Sequence, residues 1–476
     1  MRRQTTNVTL TNKTKMKKIF TLVMLSILTM TSANAVETIL WEGDYNVDWD
    51  LTPADNPNRE WKGLSQEDFA AMTAGQKLYF YFAPAGEDYH KYNFDNYSWN
   101  ALPGHEGEHD SEFGFTGYVR VEFIVTSDIK EAIAAGGFAL HGHGFHVIRV
   151  TKDSPETPNA ILWTGSQSVT GWSGDDGKCL KLNFNTLGIT SACNLYLQLS
   201  DYTGANVRLV KNNGWTEYPS ADYDHFQTVD ANGIVTIELT QDFVDAVNAS
   251  EYKEIVLWGN AYTINVVSTS KDAILQLTKG LVVNVDANGY VTFSSSWNLD
   301  LANLPDGLEA YTATLAGKTL SFTQKDEAVA AETGLLLKGT AWYTYKVPVT
   351  TVAGATIADN ALKSVVTPTT LQSDASNYIF VMKKATAAGS LEFKKLSTTG
   401  VTMPANKAYV QVPSSAFTGA HELEITFGEE GSTTGIASVE KRQTTTDREV
   451  YNLAGQRVAQ PTKGLYIVNG RKVVIK

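Results

Sequence analysis

The sequence predicts an all-β protein: two tandem, homologous jelly-roll-like β-sandwiches at residues 36–152 and 158–270, a third β-domain at 271–428, and a small C-terminal β-sandwich at 435–476. Three observations carry the prediction. A long segment occurs twice, and a repeat of that length marks two copies of one fold. Inside each copy, runs rich in Val, Ile, Tyr and Thr alternate apolar and polar residues and are broken by Gly and Asn, which is the strand signature. Each copy also holds one short helical pattern, "SDIKEAI" or "QDFVDAV", with Ser127 or Gln241 near the cap. Many short strands around one short helix suit a jelly roll or a related sandwich.

The repeat can be followed block by block. "ILWEGDYNVDW" from Ile39 returns as "ILWTGSQSVTGW" from Ile161, "KLYFYFA" returns as "NLYLQLS", and Trp99 in "YSWNAL" matches Trp215 in "NGWTEY". The copies end on "GFALHGHGFHVIRV" and "EIVLWGNAYTINVV". Between them, "TKDSPETPN" has the prolines and charges of a domain boundary.

A net charge of -12 excludes nucleic acid as a partner, because a polyanion is held by clustered Lys and Arg. A neutral ligand suits that balance. Residues 1–35 form a signal peptide with a possible over-long start at 1–15: Lys17 and Lys18 precede an apolar run that ends on Ala33-Asn34-Ala35. The run is shorter than the roughly twenty residues a membrane span needs. No transmembrane anchor is therefore expected after signal removal. Cys179 and Cys193 each open an apparent strand. If those strands form a hairpin, the cysteines lie on the order of 20 Å apart, too far to pair.

His141, His143 and His146 fall within "HGHGFH", a spacing that raises the question of a metal. On a strand His141 and His143 share a face and His146 points away, with a bulge at Gly144 needed to bring the third ring round. The second copy puts Trp258, Asn260 and Thr263 at these places and keeps the glycine as Gly259, so the shared element is structural. His141 and His143 stay weak metal candidates. "GHEGEHDSEFG" offers Glu108, Asp110 and Glu112 at alternate positions, the carboxylate spacing of retaining glycosidases of the laminarinase type. The intervening His109 and Ser111 and the flanking glycines point instead to a solvated acidic loop. The loop "PSADYDHFQTVDANG" carries Asp222, Asp224 and Asp230, oxygen ligands suited to a structural calcium but in no EF-hand spacing. No other cofactor is expected.

The aromatic residues are the main binding candidates. Sugars present flat C–H faces that stack on rings while their hydroxyls bond polar neighbours. Trp41 and Trp163 sit in apolar runs and read as core. Trp99 and Trp215 lie in polar settings, "FDNYSWN" and "KNNGWTEY", and with Tyr97, Tyr218 and Trp61 make up the predicted ligand-binding set. Residues 271–428 read as strands with no cluster of His, Asp or Glu.

From Gly435 the charge reverses, with eight basic residues against three acidic ones. The blocks "VYNLAGQRV" and "KGLYIV" and the basic end "NGRKVVIK" resemble the type A C-terminal sorting domain of the type IX secretion system of Bacteroidota. That resemblance implies export through the outer membrane to the cell surface or medium, with the type IX machinery as partner. The region before the tail resembles the β-domain that often precedes such tails in secreted proteins of gut Bacteroidales, with "GYVTF" and "NKAYV" as shared pieces. The repeats, with "LWEG" at the start and G-x-G-F-x-V-x-x-V at the end, resemble sandwich modules attached to glycan-degrading enzymes of the same bacteria, but no catalytic domain accompanies them. The expected function is a non-catalytic, exported glycan-binding protein. The alternatives are a glycoside hydrolase using Glu108, Asp110 and Glu112, or a structural or adhesive surface protein.

Overall fold

The computed structural model describes residues 35–47, 49, 64–85, 89–110, 119–171, 174–175, 177–212, 215–218, 227–383, 391–417, 423–428, 450–451, 464–468 and 471–475. They fall into two compact units, divided after Gly428. The fold is all-β with a few short helices.

In the first repeat the strands are β1 (Ala35–Val47), β2 (Gln76–Pro84), β3 (Lys91–Asp95), β4 (His109–Asp110), β5 (Val119–Val125), β6 (Ala139–His143) and β7 (Phe145–Pro155). In the second they are β8 (Ile161–Gly171), β9 (Leu180–Asn183), β10 (Cys193–Ser200), β11 (Asn206–Lys211), β12 (Thr216–Tyr218), β13 (Ile234–Leu239) and β14 (Glu254–Ser268). One sheet of each repeat runs β1-β7-β2-β5 or β8-β14-β10-β13, and the facing sheet runs β4-β3-β6 or β9-β14-β11-β12. Taking β6 with the first half of β14, β3 with β11 and β4 with β12, the order is the same in both, save that β9 has no counterpart among the described strands of the first repeat, and it is that of a jelly roll. Strands β6 and β7 together correspond to β14, which pairs with β9 and β11 through its first half and with β8 and β10 through its second.

The crossing from one sheet to the other is made at a corner. Gly144 has φ 81°, and its counterpart Ala261 has φ 64° at a register shift between Asn260 and Tyr262. A left-handed residue at a bulge turns a strand out of one sheet into the next. The glycine two residues earlier answers to a different demand. A β-carbon on Gly142 would lie 2.0 Å from the Lys91 carbonyl oxygen, and one on Gly259 would lie 1.7 Å from that of Asn206. The shared glycine of the repeat is thus explained by close backbone approach.

Each sandwich closes over its own core, around Phe80, Phe94, Phe123 and Phe138 in the first repeat and Leu197, Leu209, Val235 and Leu257 in the second. Trp41 and Trp163 are half-buried, and each lays its ring over the glycine two residues on, Gly43 or Gly165, where a β-carbon would meet the ring at 2.5 Å.

Several sequence expectations are corrected. Among the described residues each repeat has two helices rather than one: α1 (Gln66–Ala71) and α2 (Ser127–Gly136), then α3 (Phe184–Leu187) and α4 (Gln241–Asn248). The caps of α2 and α4 are Thr126 and Thr240, whose hydroxyls accept from Ile129 and Phe243 amides, one residue before the predicted positions. Strands β9 and β10 are not a hairpin, since they sit in opposite sheets, and Cys179 and Cys193 form no disulfide. The stretch read as a linker is structured: Thr151–Pro155 belong to β7 and pair with Ala35–Ile39.

The third region begins with a helix that the sequence reading missed, α5 (Lys271–Lys279), capped by Ser270 and ended at Gly280. It is followed by β15 (Leu281–Asn284), which pairs with the outer edge of β1 through Glu37 to Val282 and Thr38 to Leu281. The first repeat and the third region therefore share one six-stranded sheet. Gln276 of α5, fully buried, donates to the Thr38 hydroxyl at 3.0 Å and the Pro155 carbonyl at 2.9 Å, and accepts from the Trp297 indole at 3.0 Å and the Thr157 amide at 3.3 Å. Glu156 likewise accepts from the Ser295 hydroxyl at 2.8 Å, the Ser296 amide, and Asn406 at 2.9 Å. In the second unit, Val450–Tyr451, Gly464–Val468 and Arg471–Ile475 form a three-stranded antiparallel sheet.

Candidate functional site

The equivalent tryptophans of the repeats share an unusual backbone. Trp99 has φ 62° and is 38% exposed, and Trp215 has φ 52° and is 44% exposed. Trp342 of the third region, which the sequence reading did not single out, has φ 63° and is 57% exposed. Every exposed tryptophan among the described residues is therefore left-handed. For a bulky side chain that conformation is disfavoured by about 1–2 kcal/mol. Strain of this kind persists only where the surroundings impose it.

The surroundings of Trp99 are a tight turn. The Asn96 side chain accepts the Ser98 amide at 2.9 Å and the Asn100 amide at 3.1 Å, while the Trp99 amide donates to the Asn96 carbonyl at 3.0 Å. The Tyr97 amide donates to the Gly136 carbonyl at 2.8 Å, and the Tyr97 ring covers Gly137, where a β-carbon would fall 2.0 Å away. Tyr97 thus anchors the turn against the end of α2, and Trp99 is held out.

Beneath Trp99 lies His141 of β6, with ring centroids 4.6 Å apart, edge to face. Trp49 approaches the same imidazole at 5.2 Å. Nε2 of His141 is hydrogen-bonded to the buried Asp95 carboxylate on β3, which fixes the ring. The Trp49 indole N–H donates to the Tyr89 hydroxyl at 3.2 Å, and the exposed Tyr89 ring stacks on His143 at 4.5 Å. His141 and His143 do share one face, as alternation requires, but each is occupied by aromatic rings. His146 points the other way and bonds Asp44 at 2.6 Å. No group of three or more metal-ligating side chains occurs among the described residues.

The second repeat builds the same platform from different residues. Trp215 stacks on Trp258, the counterpart of His141, with centroids 5.4 Å apart and planes inclined by 28°. Its ring closes over Gly174, where a β-carbon would lie 1.9 Å away. The Tyr262 hydroxyl holds the Trp258 carbonyl at 2.7 Å, and Gly259 keeps the strand pressed against β11. Tyr218 lies elsewhere: its ring packs on Phe243, and its hydroxyl donates to the Glu238 carbonyl at 2.7 Å while accepting the Thr240 amide at 3.1 Å.

The carboxylate cluster is not a solvated loop throughout. His109 and Asp110 form β4, opposite Tyr92 and Lys91, and the His109 ring stacks on Tyr92 at 5.2 Å. Glu108 is exposed and faces the Lys91 ammonium at 3.7 Å. Glu112, Trp61, Asp222 and Asp224 lie outside the described residues. In the second acidic loop, Asp230 accepts the Asn232 and Ile234 amides, each at 2.8 Å, and pairs with Lys271 at 2.9 Å.

No protein-family model and no curated protein matches the chain. Among solved structures, the chain is similar to SGBP-B of the Bacteroides ovatus mixed-linkage glucan utilization locus in complex with mixed-linkage heptasaccharide. The identity is 31% over 24% of this chain and 30% of that one, with a TM-score of 0.21. It is also similar to a T=1 Penaeus vannamei nodavirus structure, at 9% identity over 50% of this chain and 98% of that one, with a TM-score of 0.14. The chain thus spans less than a third of the length of the first of these.

Proposed function

We propose that the protein captures a neutral polysaccharide, without cleaving it, on the paired platforms of Trp99 over His141 and Trp215 over Trp258. The observation that carries the reading is the strained, exposed presentation of two equivalent tryptophans, each backed by a second ring. Exposing a large apolar side chain and straining its backbone both cost stability, so a ligand for the free face gives the arrangement its purpose. Flat C–H faces of sugars fit such a platform. Two sites on one chain raise the effective concentration for a repeating polymer, so individually weak contacts suffice. The N-terminal signal and the C-terminal tail complete the proposal: export, then delivery by type IX secretion to the surface or medium.

The test is retention of residues 36–476 on a polysaccharide array that includes mixed-linkage glucan, with a reducing-sugar assay beside it. The whole mature chain is required because β15 and α5 complete the first repeat. Retention without product, reduced in Trp99→Ala and in Trp215→Ala and lost in the double variant, is the expected result. Product formation that disappears in Glu108→Gln would replace this reading with a hydrolase. For the tail, deletion of 435–476 should leave folded protein in the periplasm by cell fractionation, and unchanged delivery would remove the sorting proposal.

A further inference from the structure

A second, separate place on the molecule has the chemistry of a sugar site. A cleft of about 590 Å3 runs along the start of β8, between that strand and the third region. The volume is within the roughly 300–1,000 Å3 of small-ligand sites. Its lining includes the half-buried Trp163 with Asn159, Asn298, Thr164 and Thr351, and the buried Trp297 forms part of its floor. No Asp, Glu, Lys, Arg or His lines it, on a chain whose net charge is -12. A site without charge does not recognise an ion, whereas amides and hydroxyls beside an indole match a neutral molecule rich in hydroxyls.

The repeats differ at the strand edge that borders the cleft. In the first repeat the outer edge of β1 is covered by β15. In the second, β8 pairs only with β14 among the described strands, so its outer edge is left to the cleft. Such an edge invites an added peptide strand. Here, however, its pairing with β14 is broken by three register shifts, which spoil the regular backbone spacing that a peptide strand would need.

We infer that this cleft binds a short neutral oligosaccharide, independently of the tryptophan platforms. Thr164 and Thr351 are exposed, so arginine at either position fills the cleft without disturbing the core. The test uses residues 36–476 carrying Trp99→Ala and Trp215→Ala, titrated calorimetrically with cellotriose, laminaritriose, mannotriose and xylotriose. The expected result is saturable binding of at least one trisaccharide, weakened tenfold or more by Thr164→Arg or Thr351→Arg. Flat titrations with all four overturn the inference, as does binding that both arginine variants leave unchanged. The two readings fail separately: polysaccharide retention by the wild-type chain tests the platforms, and trisaccharide binding by the platform-deficient chain tests the cleft.

Discussion

Gln276 accepts the indole N–H of Trp297 at 3.0 Å, and both side chains are shut off from solvent. The same amide reaches Thr38 on β1, Pro155 on β7 and the Thr157 amide, so one side chain joins the first repeat, the inter-repeat segment and the third region. Gln276→Met keeps the volume and removes every one of these bonds. Each buried polar group left unpaired costs about 1–3 kcal/mol, so a loss of about 3 kcal/mol or more is expected. Urea denaturation followed by tryptophan fluorescence measures it, and a change under 1 kcal/mol would show that water replaces the amide.

At the corner of β14, substitutions two residues apart should have opposite signs. Gly259→Ala drives a β-carbon into the Asn206 carbonyl at φ 130° and should cost several kcal/mol or prevent folding. Ala261→Gly relieves a left-handed alanine at φ 64°, as Gly144 already does in the other repeat. Set against the greater chain entropy of glycine, the gain should be about 0.5–1 kcal/mol. Thermal unfolding of both variants decides the matter.

Trp99→Gly and Trp215→Gly should separate stability from binding. Each removes backbone strain and an exposed ring, so the variants should melt no lower than the wild type while polysaccharide retention falls. A clear drop in melting temperature would assign the tryptophans to the structure instead.

Burial raises the pKa of Glu156 above the ordinary carboxylate value, against hydrogen bonds from Ser296, Ser295 and Asn406 that lower it. The folded state therefore holds this proton more tightly than the unfolded chain. As pH rises above the unfolded value of about 4.3, that advantage is lost and the contribution of Glu156 to stability falls. The stability of the wild type relative to Glu156→Gln should thus decline as pH rises above the unfolded carboxylate value, read from denaturation midpoints at each pH. A difference that is flat or rising with pH contradicts the assignment.

The all-β class and the duplicated jelly roll were legible in the sequence because both rest on local signals, period-two alternation and block repetition. The glycine kept as Gly142 and Gly259 marked a structural element for the same reason, and the structure shows which demand it meets. The partner of β1 was not legible: β15 lies far along the chain, and pairing at that distance leaves no periodic trace. Helix α5 was hidden because "KDAILQLTKG" is buried on several sides and lacks a clean polar face. At the platforms, the polar settings of Trp99 and Trp215 pointed to exposure. Their left-handed backbone could not be read, since sequence preference assigns that state to Gly and Asn, and Trp342 was passed over on the same ground.

The edge of β1 covered by β15 has a consequence for how the chain acquires its structure. Residues Glu37 and Thr38 find their outer partners only when Leu281 and Val282 arrive. Closing a loop of that length is slow, and the contact rewards the chain only at its end. Until then the outer edge of β1 stays open while β7 already pairs its other side, so renaturation should show a late phase in which α5 and β15 dock together on a first sandwich that has closed over its core.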